Sequence, residues 1–119
     1  MNNVSIIGRL AKDIELRYTP QQTAVAQFSI AINRGKDKNG DDKGADFPRI
    51  IVFGRMAENC ERYLKKGRLV GIQGRIQTGS YKNKNGDTVY TTEVVANNVE
   101  FLERGADKKN QQKEQQEDV

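Results

Sequence analysis

Over most of the first hundred positions, apolar and polar residues alternate with a period of two. Such alternation belongs to strands whose side chains point in turn to a core and to solvent. Residues 4–10 place Val4, Ile6, Gly8 and Leu10 on one face and Ser5, Ile7 and Arg9 on the other. After a break at Ala11-Lys12-Asp13, the pattern resumes over residues 14–18, and Pro20 fixes a turn. A longer strand follows, with Ala24, Ala26, Phe28, Ile30 and Ile32 on its apolar side. A third strand is predicted over residues 47–53. It turns Ile50 and Val52 one way and Phe47, Arg49, Ile51 and Phe53 the other. Two flat rings flanking a guanidinium suit a solvent-facing strand that stacks bases and neutralises phosphates. The same residues equally suit a strand buried on both sides.

From Arg55 the period changes. Met56, Cys60, Tyr63 and Leu64 recur at helical spacing, which predicts one short amphipathic helix. Lys65 and Lys66 fall in its expected last turn, and Gly67 is placed to end it. Residues 69–78 then return to alternation, with Val70, Ile72, Gly74 and Ile76 on one face. A last strand, residues 88–102, is long enough to bend round a small barrel, with Tyr90, Thr92, Val94 and Ala96 sharing a face. Two polar stretches read as hairpin loops. Residues 33–46 carry Arg34, Lys36, Lys38 and Lys43, and residues 79–87 carry Tyr81 among lysines with Asn85-Gly86 as a turn signal. Strands with one helix between the third and fourth match an all-β OB-fold, a five-stranded Greek-key barrel that binds oligonucleotides across one face; other small barrels fit the strands, but few place one short helix there.

Composition divides the chain in two. Residues 106–119 contain no aromatic and almost no aliphatic side chain, so they are expected to form a disordered polar tail behind a folded domain of residues 1–105. The net charge is +4, which favours an acidic partner, nucleic acid before an anionic membrane surface. No run approaches the roughly 18 apolar residues of a membrane span, and the N-terminus lacks a secretion pattern. A single cysteine, Cys60, fits a reducing cytoplasm and reads as a small buried residue. The chain has no histidine, so the usual zinc sites and the usual activator of a nucleophilic cysteine are both missing. Neither catalytic residues, a metal nor a cofactor is expected.

Several segments in order resemble bacterial and phage single-stranded DNA-binding proteins. They are Ile7-Gly8-Arg9-Leu10, Glu15-Leu16-Arg17-Tyr18-Thr19-Pro20, Ile51-Val52-Phe53-Gly54-Arg55, Ala57-Glu58, Tyr63-Leu64-Lys65-Lys66-Gly67 and Tyr90-Thr91-Thr92-Glu93-Val94. The resemblance implies an OB-fold homotetramer, without enzymatic activity, that wraps single-stranded DNA regardless of sequence in replication, recombination and repair. It also implies that base stacking falls to Phe47, Phe53 and Tyr81 and phosphate contact to Arg49, Arg55 and Lys66. Arg17 is a further basic candidate, while Lys36, Lys82 and Lys84 are assigned by location. The sequence departs from the family pattern in having no tryptophan and in ending Gln115-Gln116-Glu117-Asp118-Val119, acidic but without the terminal proline and phenylalanine through which relatives dock replication and repair proteins. A short tail of that kind suits a phage or plasmid version. An RNA-binding OB protein and a protein-interaction adaptor are the competing readings.

Overall fold

The computed structural model describes residues 1–102. The expected tail, residues 106–119, lies outside them. Seven strands and one helix follow in the order β1 (Val4–Leu10), β2 (Glu15–Tyr18), β3 (Ala24–Asn33), β4 (Ala45–Asp46), β5 (Arg49–Phe53), α1 (Arg55–Tyr63), β6 (Leu69–Lys82) and β7 (Thr88–Phe101). Hydrogen-bonded neighbours run β1-β6-β7-β5-β3, and β1 also pairs with β3 through Arg9–Ala31 and Leu10–Ile30. That last pairing closes a five-stranded ring, with β5 and β7 parallel and its other neighbours antiparallel. The OB-fold is thus formed by β1, β3, β5, β6 and β7, while β2 flanks β3 and β4 extends its far end.

The ring encloses Leu10, Ala26, Phe28, Ile30, Ile50, Val52, Val70, Ile72, Val94 and Val99. Ala57, Cys60 and Leu64 reach this core from α1 and the residue that follows it. A stripe of small and aliphatic residues closes the end of the barrel there, and removing it from water stabilises the helix far more than nine residues could by themselves.

Four local differences from the sequence pattern have physical causes. Pro48 has no N–H to donate, and the expected third strand begins only after it, as β5 at Arg49, while β4, Ala45–Asp46, forms inside the expected first loop. The helix stops at Tyr63, because Leu64 turns to an extended conformation and buries its side chain at 4% exposure. Lys65, Lys66 and Gly67 therefore lie beyond the helix, and Gly67, at φ +93°, donates its N–H to the Leu10 carbonyl instead of capping it. Tyr63 is left 52% exposed. Strand β6 continues to Lys82, so the second loop contracts to residues 83–87 and a long ribbon projects from the barrel. Finally, β7 bulges opposite Gln73 and Gly74, where Asn98 pairs with Gln73 but Ala96 with Gly74. The extra residue, Asn97, shifts the inward set from Val94 and Ala96 to Val99.

Gly74 makes that bulge sterically possible. A Cβ there would lie 2.1 Å from the Val95 carbonyl oxygen and 2.9 Å from the Ala96 Cα, both backbone atoms. Three residues away on the same strand, a Cβ at Gly71 would meet only side-chain atoms at 3.5 Å or more. Gly74→Ala is expected to cost about 3 kcal/mol in urea unfolding and Gly71→Ala less than about 0.5 kcal/mol; similar costs at the two positions would contradict the bulge as the cause.

Candidate nucleic-acid interface

Paired strands bring side chains of matching register to one face. On the side of the sheet away from the core, three rows result. Arg17 stands opposite Val25, and Val25 opposite Phe53. Glu15, Gln27, Ile51, Val95 and Arg75 form a row across five strands, about 19 Å long at ordinary strand spacing. Ser29 lies opposite Arg49, and Glu93 opposite Gln77. An ion pair of 3.4 Å between Arg49 Nη1 and Glu93 Oε2 joins those two pairs into the third row. Ile51 and Val95 belong to the outward face yet are only 8% and 5% exposed. The face is therefore an apolar floor ringed by longer polar and cationic side chains.

Exposure decides the reading of the aromatics. Phe53 is 50% exposed, Phe47 62% and Tyr81 56%, so none of the three is a core residue. Phe53 ends β5 on the outward face, and Phe47 sits in the two-residue link that precedes Arg49. Tyr81 pairs with Val89 and is four residues beyond Gln77, so it continues the outward face along the projecting ribbon. Beside Arg49 the face is indented by a small polar cleft that Lys12, Asp13, Glu15, Gln27 and Ser29 also line. The Asp13 carboxylate accepts a hydrogen bond from the Lys66 N–H at 2.9 Å, which holds the turn carrying Lys66 against the β1–β2 link.

Arg55, Arg17, Lys36 and Lys84 are exposed, but the structure does not gather every assigned cation onto one surface. Arg17 joins the outward face. Arg55 opens α1, just past Phe53. Lys82 alternates with Tyr81 and points to the ribbon's other side, the side of Tyr90, and Lys84 lies in the turn beyond it. Lys36 pairs through its backbone with Asp42 in an antiparallel β-bridge within the first loop, a hairpin whose tip is held by the Asp37 carboxylate accepting the N–H groups of Asn39 and Asp41. Arg75, Gln27, Gln77 and Glu93 were not singled out from the sequence. Their alternation was visible, but not which strands stand side by side.

A family model described as the single-strand binding protein family matches residues 1–102, the whole of the described barrel. The chain belongs to the single-strand binding protein family. Among its relatives is the single-stranded DNA-binding protein 1 of Streptococcus pyogenes serotype M18, 50% identical over 104 residues that cover 87% of this chain and 80% of the relative. The single-stranded DNA-binding protein 3 of Streptococcus agalactiae serotype V is 48% identical, with 87% and 75% covered. The single-stranded DNA-binding protein of Streptococcus mutans is 49% identical over 112 residues, with 93% of this chain and 68% of the relative covered.

Cys60 is fully buried, and burial pushes its thiol up to about 11, which keeps it protonated at neutral pH. Among the described residues no three His, Cys, Asp or Glu side chains group as metal ligands, and no helix is long and apolar enough to cross a membrane. Tyr18 donates to the Glu58 carboxylate at 3.0 Å, and this bond raises the phenol above its ordinary range. At the base of the first hairpin, Arg34 Nε and Nη2 both donate to Asp46 Oδ1, at 3.0 and 2.6 Å, and hold that carboxyl below the usual carboxylate range. A depressed carboxylate stabilises its surroundings above its unfolded value and loses that contribution as pH falls through the folded one. Followed by NMR, Asp46 should titrate at lower pH in the native chain than in Arg34→Gln; equal midpoints would refute the pairing.

Proposed function

We propose that this chain binds single-stranded DNA without sequence preference, through the outward face of β2, β3, β5, β6 and β7. The single observation that carries the reading is that face itself: exposed Phe53 in register with Arg17, with Arg49, Arg75 and Tyr81 on the same side of the sheet. Rings take the bases of an unpaired strand because every base has a π-face, and guanidinium groups take the phosphates. Phe47, Phe53 and Tyr81 are the stacking platforms. Arg49, Arg17 and Arg55 supply charge along the strand's path, with Lys66, Lys36, Lys82 and Lys84 contributing from the surrounding turns and ribbon.

No bond is made or broken in this role. Stacking and counterion release lower the free energy of the unpaired strand, which keeps it open and protected during replication, recombination and repair. The protein acts as a cytoplasmic homotetramer. Association is supported by Ile7, 60% exposed on the outward side of β1, beside a shallow apolar hollow that Gly71 and Leu102 also line. Residues 1–105 form the binding domain, and the acidic tail, lacking the relatives' terminal proline and phenylalanine, offers replication and repair proteins a weaker or different attachment.

The test is a titration of dT oligomers of increasing length, with the mass of the complex measured in solution. Phe47→Ala combined with Tyr81→Ala removes two platforms worth about 1–3 kcal/mol each, so affinity should fall about thirtyfold or more. An unchanged affinity would point to an adaptor that has lost its nucleic-acid face, and a clear preference for RNA of equal length to an RNA chaperone. Arg49→Ala should also flatten the dependence of log K on log salt by about 0.7, the contribution of one phosphate contact on a single strand. Labelled DNA incubated with magnesium should remain intact; cleavage would overturn the non-catalytic reading.

A further inference from the structure

We propose that the bound strand does not end at Phe53 but continues past Arg55 into the groove between α1 and the end of β7, where a base stacks on Phe101 and Tyr63. This rests on the single-strand-binding reading above and extends its footprint to a second side of the barrel. The groove encloses about 510 Å³ and is lined by Arg55, Met56, Asn59, Val99 and Phe101. It starts where the outward face stops, since Arg55 is two residues from Phe53. Its floor is apolar: Val99 is 9% exposed, and Met56 packs partly buried against the core.

The wall has the chemistry of a stacking platform. Phe101 and Tyr63 have ring centroids 6.3 Å apart, tilted by 53°, and are 42% and 52% exposed. The Arg62 guanidinium carbon lies 5.8 Å from the Tyr63 ring centre. The charges of α1 fall on neighbouring stripes, and Arg62 lies between them. Arg55, Asn59 and Tyr63 recur every four residues along one stripe, with Arg62 at its margin. Glu58 is turned the other way, towards β2, where Tyr18 donates to it, and Glu61 follows three residues later on that same side. The groove therefore offers the Phe101 ring, an apolar floor and the Arg55 guanidinium, while Arg62, over the neighbouring Tyr63 ring, lies within the field of Glu58 and Glu61.

An occupant must bring flat apolar surface and negative charge together. An unpaired nucleotide brings both. The chain's own tail brings only charge, because residues 106–119 contain no aromatic side chain. A second copy of the chain seated there would have to leave Arg55 without an anion or supply one.

The absence of tryptophan makes the test direct, since one introduced indole reports alone. Phe101→Trp and Tyr81→Trp, each in the full chain, are titrated with dT oligomers of increasing length. Tyr81→Trp fluorescence should be quenched by short and long oligomers, and Phe101→Trp fluorescence only by the longer ones. Phe101→Ala should weaken binding of the long oligomers about fivefold or more and leave the short ones unchanged. Quenching at Tyr81→Trp with no response at Phe101→Trp overturns the groove while leaving the proposed function standing. Equal weakening at every length would assign Phe101 a structural role and overturn it as well. A Phe101→Trp signal that follows protein concentration instead of DNA gives the groove to a second copy, and silence at both reporters defeats the binding reading itself.

Discussion

The arrangement depends on one close approach, where β1 leaves its partner β6 and crosses to β3. A Cβ on Gly8 would lie 2.5 Å from the Ala31 carbonyl oxygen, so this residue has to be glycine if the two backbones are to meet. The pairing of Arg9 and Leu10 with Ala31 and Ile30 follows immediately, and it turns an open sheet into a ring. Closure leaves no exposed edge among the five ring strands at that seam. It also fixes the curvature that sets Arg17, Phe53, Arg49 and Arg75 on one continuous face.

That face carries its charge under restraint. Arg49 is 56% exposed, while the Glu93 side chain beside it is only 16% exposed. At the surface such a pair contributes little to stability. Its effect is to orient: one guanidinium nitrogen is tethered to β7 while other N–H donors remain free for a ligand. A phosphate arriving there competes with a carboxylate already in place, so the local gain is smaller than for an unpaired arginine. Arg17 and Arg75, on either side, have no carboxylate partner of that kind within the rows described.

Much of this was legible in the chain. Alternation located the five ring strands because each buries one side, and the shift to a helical period located α1. The inward set Val70, Ile72 and Gly74 and the outward turn of Phe53 and Arg49 follow from the same rule. Ile76 departs from it, 47% exposed, because β6 outruns the barrel and its inner side meets solvent. The bulge at Asn97 was not legible, since an extra residue leaves no mark on composition. Nor was the end of the helix, which the burial of Leu64 decided over the spacing of the lysines. The candidate site was legible one strand at a time. Glu93 and Arg75 became part of it only when pairing placed β6 and β7 beside β5.

The most direct measurement is photocrosslinking of the native chain to dT oligomers carrying 5-iodouracil, with the attachment points read by mass spectrometry. A base stacked on a ring reports that ring. Crosslinks at Phe47, Phe53 and Tyr81 are expected, with the outward face as the strand's path. Crosslinks concentrated at Tyr18 and Tyr90, the exposed aromatics on the other sides of β2 and of the ribbon, would contradict the account.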